Sequence, residues 1–415
     1  MRLNPFRALR PPPDFAAQVA SVPYDVVDRD EAASLAAGNP RSFLHVGRPD
    51  IDLPAGTDPY DPSVYAQGRA ALDGFLANGT LVRDGDRTVY VYRQEMDGRG
   101  QTGVVACVHV DDYEQDIIRK HEKTRKDKED DRTRHVLTLD ANAEPVFLAY
   151  RSSGGINADV AAAVAAPPLY DFVAPDGVRH IVWKVVDPSP LLRHFAQVPL
   201  AYVADGHHRS ASAWRAGQER RRANPHHTGN EEYNWFLAVL FPADALAILP
   251  YNRVVKSLNG LSPEAFRARL AALGRVEAVT DARPPRSGAF SFFLEGRWWR
   301  LTMDESTIDR RDPIGSLDVS LLQDRVLGPI LGIADPRTDK RIDFVGGIRG
   351  TAELERRVTS GDMALGISMF PTTMEQLLAV SDAGQIMPPK STWFEPKLRS
   401  GLFVHELSEV VSRES

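Results

Sequence analysis

Between residues 200 and 216 an apolar run (Leu200, Ala201, Tyr202, Val203, Ala204) meets a polar block, Asp205, Gly206, His207, His208 and Arg209. A segment rich in Ala, Trp and Arg follows. No other stretch restricts the local geometry of the chain as strongly. Apolar residues, then glycine, then helix formers predict a buried strand, a sharp turn and a helix N-terminus. Such a turn leaves backbone N–H groups without intrahelical partners and turns the positive end of the helix dipole outward. Two imidazoles and a guanidinium add further donors, and phosphate is the anion that suits such a cradle. A solvated Asp-Gly turn would account for Asp205 and Gly206. It would not account for three more ionisable side chains at a strand end.

The 415 residues are enough for two domains, and 43% hydrophobic with 26% charged residues is the balance of an ordinary globular protein. A net charge of −6 argues against a general nucleic-acid or anionic-membrane binder. No run approaches the ~20 apolar residues of a membrane span, and the prolines of MRLNPFRALRPPPDF are foreign to a signal peptide. The single cysteine, Cys107, lies in the apolar run VVACVHV, which predicts a buried strand residue and fits a reducing cytoplasm.

Along the chain, Asp28 or Asp30 is positioned to cap a helix running from Glu31 to Ala37, and 61–78 has the apolar spacing of a longer one. RTVYVYRQEM and TGVVACVHVDDY read as two strands joined by the turn DGRGQTG. Residues 117–145 are the most charged stretch, with the alternating signs of a solvated helix. VFLAY and HIVWKVV read as strands on either side of a short Ala-rich helix, and 235–255 as strand, turn and strand. Beyond residue 258 the signals are a helix between Ser262 and Gly274, then a hairpin turning at Glu295 and Gly296. Helices near 317–331 and 351–359, the apolar stretch ALGISMFP, the helix MEQLLAVSDAG and an extended tail complete the chain. The expectation is an α+β protein of two lobes, 1–257 carrying the chemistry and 258–415 a second α+β lobe whose tail packs back. Residues 258–385 would serve as a lid, a scaffold or a dimer surface, so a homodimer is among the expected assemblies.

Three stretches together resemble the domain-of-unknown-function 1015 family: the HE-x-T…D-R segment (His121, Glu122, Thr124, Asp131, Arg132), the ADGHHR turn and the tail MPPKSTWFEPK. VPYDVV near the start and LPYNRVV at 249–255 belong to the same pattern. The turn also looks like the phosphate-binding box of the ParB/sulfiredoxin-like fold, whose members include free-serine kinases without a Walker A loop. The resemblance implies a mixed-sheet ParB/sulfiredoxin-like core elaborated by a second lobe. It further implies a small-molecule phosphotransferase acting on L-serine or a similar hydroxy compound, with ATP, ADP or pyrophosphate as donor and Mg²⁺ as helper. Carried onto this chain, Asp205 would position the metal or the hydroxyl, and His207, His208 and Arg209, with Gly206 at the turn, would bind phosphate. The chain is much longer than the minimal ParB-like unit, and the kinases' catalytic glutamate does not align to one residue here.

Phosphoryl transfer requires neutralisation of the moving group, in-line placement of the acceptor and a group to take the hydroxyl proton. The chain has no G-x-x-x-x-G-K-[ST], so a P-loop is not its phosphate site, and GGIRG at 346–350 reads as a turn. The acidic candidates for base or metal ligand are Glu122, Asp205 and Asp25. His121 and Arg132 flank Glu122 as candidate phosphate contacts, and Lys390 in PPKST is a third. Tyr24, Asn252 and Arg253 are candidate substrate contacts, with Asx-type or turn roles as their alternatives. An Arg209→Ala substitution is expected at this point to weaken anion binding with the fold intact. Two other functions remain open, a ParB-like nucleotide-binding switch and a metal-dependent hydrolase using Asp205, His207, His208 and Glu122. Adjacent histidines lack the i, i+4 geometry of a zinc-binding helix.

Overall fold

The computed structural model describes residues 1–408. The chain divides into two compact units: Met1–Leu246 together with the residues from Pro396 onward, and Ala247–Glu395. The expected boundary at 257/258 therefore moves. Tyr251–Val255 pairs antiparallel with Ile342–Gly346 and Leu365–Met369, which commits that strand to the second unit. The tail from Pro396 leaves the second lobe's stretch of sequence and joins the first unit.

The first unit is built on a mixed sheet. Its strands run in the order Ile118–Arg119, Ala201–Asp205, Val146–Tyr150, Trp235–Pro242, Arg99–His109, Tyr90–Met96, Arg179–Lys184 and Tyr170–Val173, with Leu3–Asn4 paired to the Arg99–His109 strand. Two pairings are parallel, Ala201–Asp205 with Ile118–Arg119 and Trp235–Pro242 with Val146–Tyr150; the others are antiparallel. The central strands are buried on both faces, as the unbroken runs VFLAY and WFLAVLF require. Val104, Ala106, Val108, Leu148, Val203, Phe236 and Leu240 share one apolar cluster with Phe195 and Ile156 from helices on the sheet. Cys107 is fully buried in its strand.

Local chemistry sets most element ends. Asp28 caps the Arg29–Ala36 helix in a reciprocal capping box with Glu31, and Asp61 caps Pro62–Ala77. The first hairpin turns more tightly than DGRGQTG suggested. Asp97 and Gly98 both take positive φ, 52° and 76°, and the strands continue to Met96 and from Arg99. Of the charged stretch 117–145, Lys126–Leu139 is helical, while residues 120–125 connect it to the short edge strand.

The second unit holds a fully antiparallel six-stranded sheet in the order Gly274–Val279, Arg297–Met303, Ala289–Leu294, Leu365–Met369, Tyr251–Val255 and Ile342–Gly346. Its hairpin turns at Glu295 and Gly296 with φ of 51° and 73°, and Ser262 and Thr373 cap its Pro263–Ala271 and Met374–Asp382 helices. Both units are thus α+β. Among the described residues no helix is long and apolar enough to cross a membrane.

Candidate functional site

The Ala201–Asp205 strand, Gly206 and the His207–Ala223 helix form the strand–turn–helix that the sequence predicts. Gly206 has φ +89°, a left-handed conformation that other residues adopt only under strain. A Cβ there would also stand 3.0 Å from Arg209 Nε. The pairing with Val146–Tyr150 slips register between Val203 and Asp205, an irregularity of the kind that re-aims a strand's last side chain. Because Ile118–Arg119 runs parallel to Ala201–Tyr202, the chain leaves both strands at the same end of the sheet. His121 and Glu122 therefore emerge beside the turn.

Three acidic candidates from distant parts of the sequence come together there. Arg209 Nη2 lies 3.4 Å from Asp25 Oδ2 and 3.4 Å from Asp205 Oδ2, and Glu122 Oε2 lies 3.9 Å from His207 Nδ1. The Asp25, Asp205 and Glu122 side chains remain 35%, 30% and 48% exposed. A ligand can therefore reach them.

Arg209 does not stand open to an anion, contrary to the role carried over from the sequence. Its side chain is 7% exposed, Nη1 donates to the Pro145 carbonyl at 2.6 Å, and Nη2 lies between the two aspartates. Burial opposes the charge, but Asp25, Asp205 and Glu144 hold the guanidinium firmly protonated. It works as a strut inside the turn. Asp205 is locked in the same network. Burial would raise its pKa, yet Lys397, 3.5 Å away, and Arg209 hold the carboxyl well below the usual carboxylate range.

The histidines divide by burial. His207 and His121 pack edge to face with ring centroids 4.5 Å apart, and both are almost fully buried. Burial pushes His121 down to about 4, against the pull of Asp205, and lowers His207 well below the usual imidazole value. Both rings are neutral at pH 7. His207 Nε2 and Arg209 Nε find no hydrogen-bond partner in the protein. Buried polar atoms of this kind ordinarily have a partner. His208 is less buried, and its Nε2 accepts the backbone N–H of Arg125 at 3.2 Å.

Tyr24 and Arg132 support the turn from behind. The Arg132 guanidinium sits 4.2 Å over the Tyr24 ring, and its Nε donates to Asp131 Oδ2 at 2.8 Å. Asp131 Oδ1 in turn accepts from the Tyr65 hydroxyl at 2.8 Å. The Tyr24 backbone N–H donates to Glu144 Oε1 at 3.2 Å, and the Ser400 hydroxyl donates to the same oxygen at 3.0 Å. Burial raises the pKa of Glu144 and of the Tyr24 phenol. A cavity of about 30 Å³, lined by Arg132, Glu144 and Arg209 among others, has the volume of a water molecule and not of a substrate.

Lys390, Asn252 and Arg253 belong to the second unit and bond there. Asn252 Oδ1 accepts from the Met369 N–H at 3.0 Å, and Arg253 donates to the carbonyls of Tyr251 and Lys390. The Lys390 ammonium lies 5.3 Å from the centre of the Tyr251 ring. Conversely, Glu144 and Lys397 belong to the charged cluster and were not singled out from the sequence. Glu144 stands before a proline at a strand start, and Lys397 lies in the tail motif WFEPK; only the fold shows what they face.

Among the described residues no group of three or more His, Cys, Asp or Glu side chains is placed to hold a metal ion. Magnesium asks for less, since it keeps waters and substrate phosphates and takes one or two carboxylates. Asp205 faces two cations through Oδ2 and is a poor choice. The partly exposed Asp25 and Glu122 suit such an ion better.

Fold and site define an α+β protein with a charged strand–turn–helix at one end of a mixed sheet. The family model described as "Protein of unknown function (DUF1015)" matches residues 3–320, and the chain belongs to that family. Among solved structures it is similar to a free serine kinase bearing a glutamate-to-alanine substitution, in complex with AMP: 13% identity and a TM-score of 0.38, covering 74% of this chain and 91% of that one. SbnI with a C-terminal truncation, from Staphylococcus aureus, is 12% identical with a TM-score of 0.38, over 72% of this chain and 87% of that one. A conserved hypothetical protein from Pyrococcus furiosus is 14% identical with a TM-score of 0.34, over 73% and 95%. These likenesses are remote. No curated protein matches the chain.

Proposed function

We propose that the protein is a phosphotransferase that moves a phosphoryl group from ATP, ADP or pyrophosphate to the hydroxyl of a small molecule, L-serine being the acceptor to test first. The observation that carries the reading is the meeting of Asp25, Glu122 and Asp205 with the Arg209 and Lys397 cations at the N-terminus of a 17-residue helix. The helix opening, with its free N–H groups and dipole, suits the donor's phosphates. Arg209 fixes the turn and stops Asp25 and Asp205 from repelling each other. Glu122, nearly half exposed beside His207, would take the acceptor's proton. In the transfer, the acceptor oxygen forms its bond to the terminal phosphorus as the bond to the donor's bridging oxygen breaks. The hydroxyl proton passes to the carboxylate, and the donor leaves one phosphate shorter. A magnesium ion bound by the donor phosphates would neutralise charge on the moving group, and Asp25 would hold it. The choice of serine rests on the resemblance of the ADGHHR turn to that of free-serine kinases, and the cytoplasm is the compartment proposed from the lone buried cysteine.

The test is to incubate the purified protein with L-serine, Mg²⁺ and each donor in turn, and to follow O-phosphoserine by ³¹P NMR and mass spectrometry. Product with at least one donor supports the reading. If high enzyme concentrations give none with any donor, the reading fails.

A further inference from the structure

Two stretches that the phosphotransferase reading leaves unused, LPYNRVV and PPKSTWF, meet in the second unit. Ile248–Leu249 pairs antiparallel with Trp393–Phe394, which lays the PPKST turn beside Tyr251. Three arginines are buried among the described residues. Arg209 lies between Asp25 and Asp205, and Arg399 pairs with Asp176. Arg253, 4% exposed, pairs with no carboxylate among the described residues. Its Nη1 donates to the Tyr251 carbonyl and its Nη2 to the Lys390 carbonyl at 3.0 Å. The guanidinium also lies 5.2 Å from the centre of the Phe344 ring. These partners satisfy hydrogen bonds but carry no charge. Burial pushes Arg253 down to about 10, whereas the acidic neighbours of Arg209 overcome its burial. A buried charge ordinarily has a counter-charge.

Lys390 brings a second positive charge to the same place. Arg253 bonds the backbone of residue 390 itself, so guanidinium and ammonium stand within one lysine side chain of each other. Lys390 is exposed, with its ammonium 5.3 Å from the centre of the Tyr251 ring. Among the described residues no carboxylate pairs with it. Lys390 also takes φ +60°, a left-handed conformation that is costly for a residue with a Cβ. Strain of this kind concentrates at binding sites. The Thr372 hydroxyl donates to the next carbonyl, that of Ser391, at 2.8 Å and helps to fix the turn.

We propose that Arg253 and Lys390 form an anion site of the second unit that takes the phosphate group of a small molecule. Two cations without a carboxylate leave two positive charges to balance. A phosphate monoester brings roughly two negative charges at neutral pH, and a single carboxylate brings one. Guanidinium is also the cation best suited to a phosphate met away from bulk water, being the more weakly hydrated of the two. Tyr251, Phe344 and Trp393, all partly exposed, pack edge to face around the cations and suit a ring attached to the phosphate. Neither Arg253 nor Lys390 enters the phosphotransferase reading, so the two stand or fall separately.

The test is hydrogen exchange of the full chain in phosphate-free buffer, titrated with inorganic phosphate and, separately, with AMP. Protection of peptides spanning 249–256 and 387–394 is expected with at least one probe. Protection by inorganic phosphate assigns the site to the phosphate group alone, and protection by AMP only assigns it to a nucleoside phosphate. Following these peptides keeps the measurement apart from any phosphate bound at the ADGHHR turn. Lys390→Met changes an exposed side chain and is expected to raise the concentration needed for half protection by about tenfold. Arg253→Met is expected to abolish the protection, with exchange in the Ala289–Met303 hairpin unchanged as the sign of a folded unit. No protection of these peptides by either probe at millimolar concentration overturns the proposal. A half-protection point that Lys390→Met leaves unchanged overturns it as well.

Discussion

Replacing Arg209 with alanine should destabilise the first unit, and the size of the effect can be worked from its contacts. The bond to the Pro145 carbonyl at 2.6 Å is charge-assisted and buried, worth about 1.5–3 kcal/mol. The contacts to Asp25 and Asp205, each 3.4 Å long and to carboxylates about a third exposed, are screened, and roughly 0.5–1 kcal/mol each is reasonable. Alanine also leaves the two carboxylates facing each other across an empty space. The sum is about 3–5 kcal/mol, in the range found when one partner of a buried pair is removed. This reverses the sequence-based expectation of an intact fold. Urea unfolding followed by far-UV circular dichroism should show the loss as an earlier first transition. Hydrogen exchange of peptides spanning 201–223 should show where it originates. A shift below about 1 kcal/mol, with unchanged exchange in that peptide, would mean that Arg209 is not a strut.

Acid should destabilise the protein before its carboxylates titrate. The folded His121 has its pKa pushed from 6.5 to about 4, so the unfolded chain binds the extra proton between those values. The stabilisation is complete above pH 6.5 and is lost as pH falls towards 4, about 3 kcal/mol at most for this residue. His135 and His180, each lowered to about 3 by burial, act with the same sign. Melting temperature should therefore drop between pH 6.5 and 4.5, and a flat profile would refute the neutral burial of these rings. Glu122→Gln should abolish O-phosphoserine formation with the melting temperature nearly unchanged, because the side chain is 48% exposed; full activity would remove it as the base.

Much of the local structure could be read from the sequence because its causes are local. The Asp28–Glu31 box, the Glu295–Gly296 turn and the Ser262 cap depend on neighbours within a few residues. The strand–Gly206–helix unit is of the same kind, since only glycine takes φ +89° there without strain. The family, too, was legible from short motifs and is the one whose model matches. The domain boundary was not legible, because what commits Tyr251–Val255 to the second unit is its pairing with Ile342–Gly346 and Leu365–Met369, about a hundred residues further along the chain. Asn252 looked like a contact because a sequence does not show which hydrogen bonds the fold itself consumes.

The ADGHHR turn shows where that division falls. Residue order alone determined that a strand ends at Asp205, that a helix opens after Gly206, and that charge gathers between them. Only the tertiary structure decided what the charges do. The direction of a side chain depends on partners far along the chain, and Pro145, Asp25 and Asp205 draw Arg209 inward. The parallel pairing of Ile118–Arg119 brings His121 and Glu122 to the turn, and the returning tail sets Lys397 against Asp205. Desolvation by the surrounding core then keeps two histidines neutral that would titrate near pH 6.5 in water.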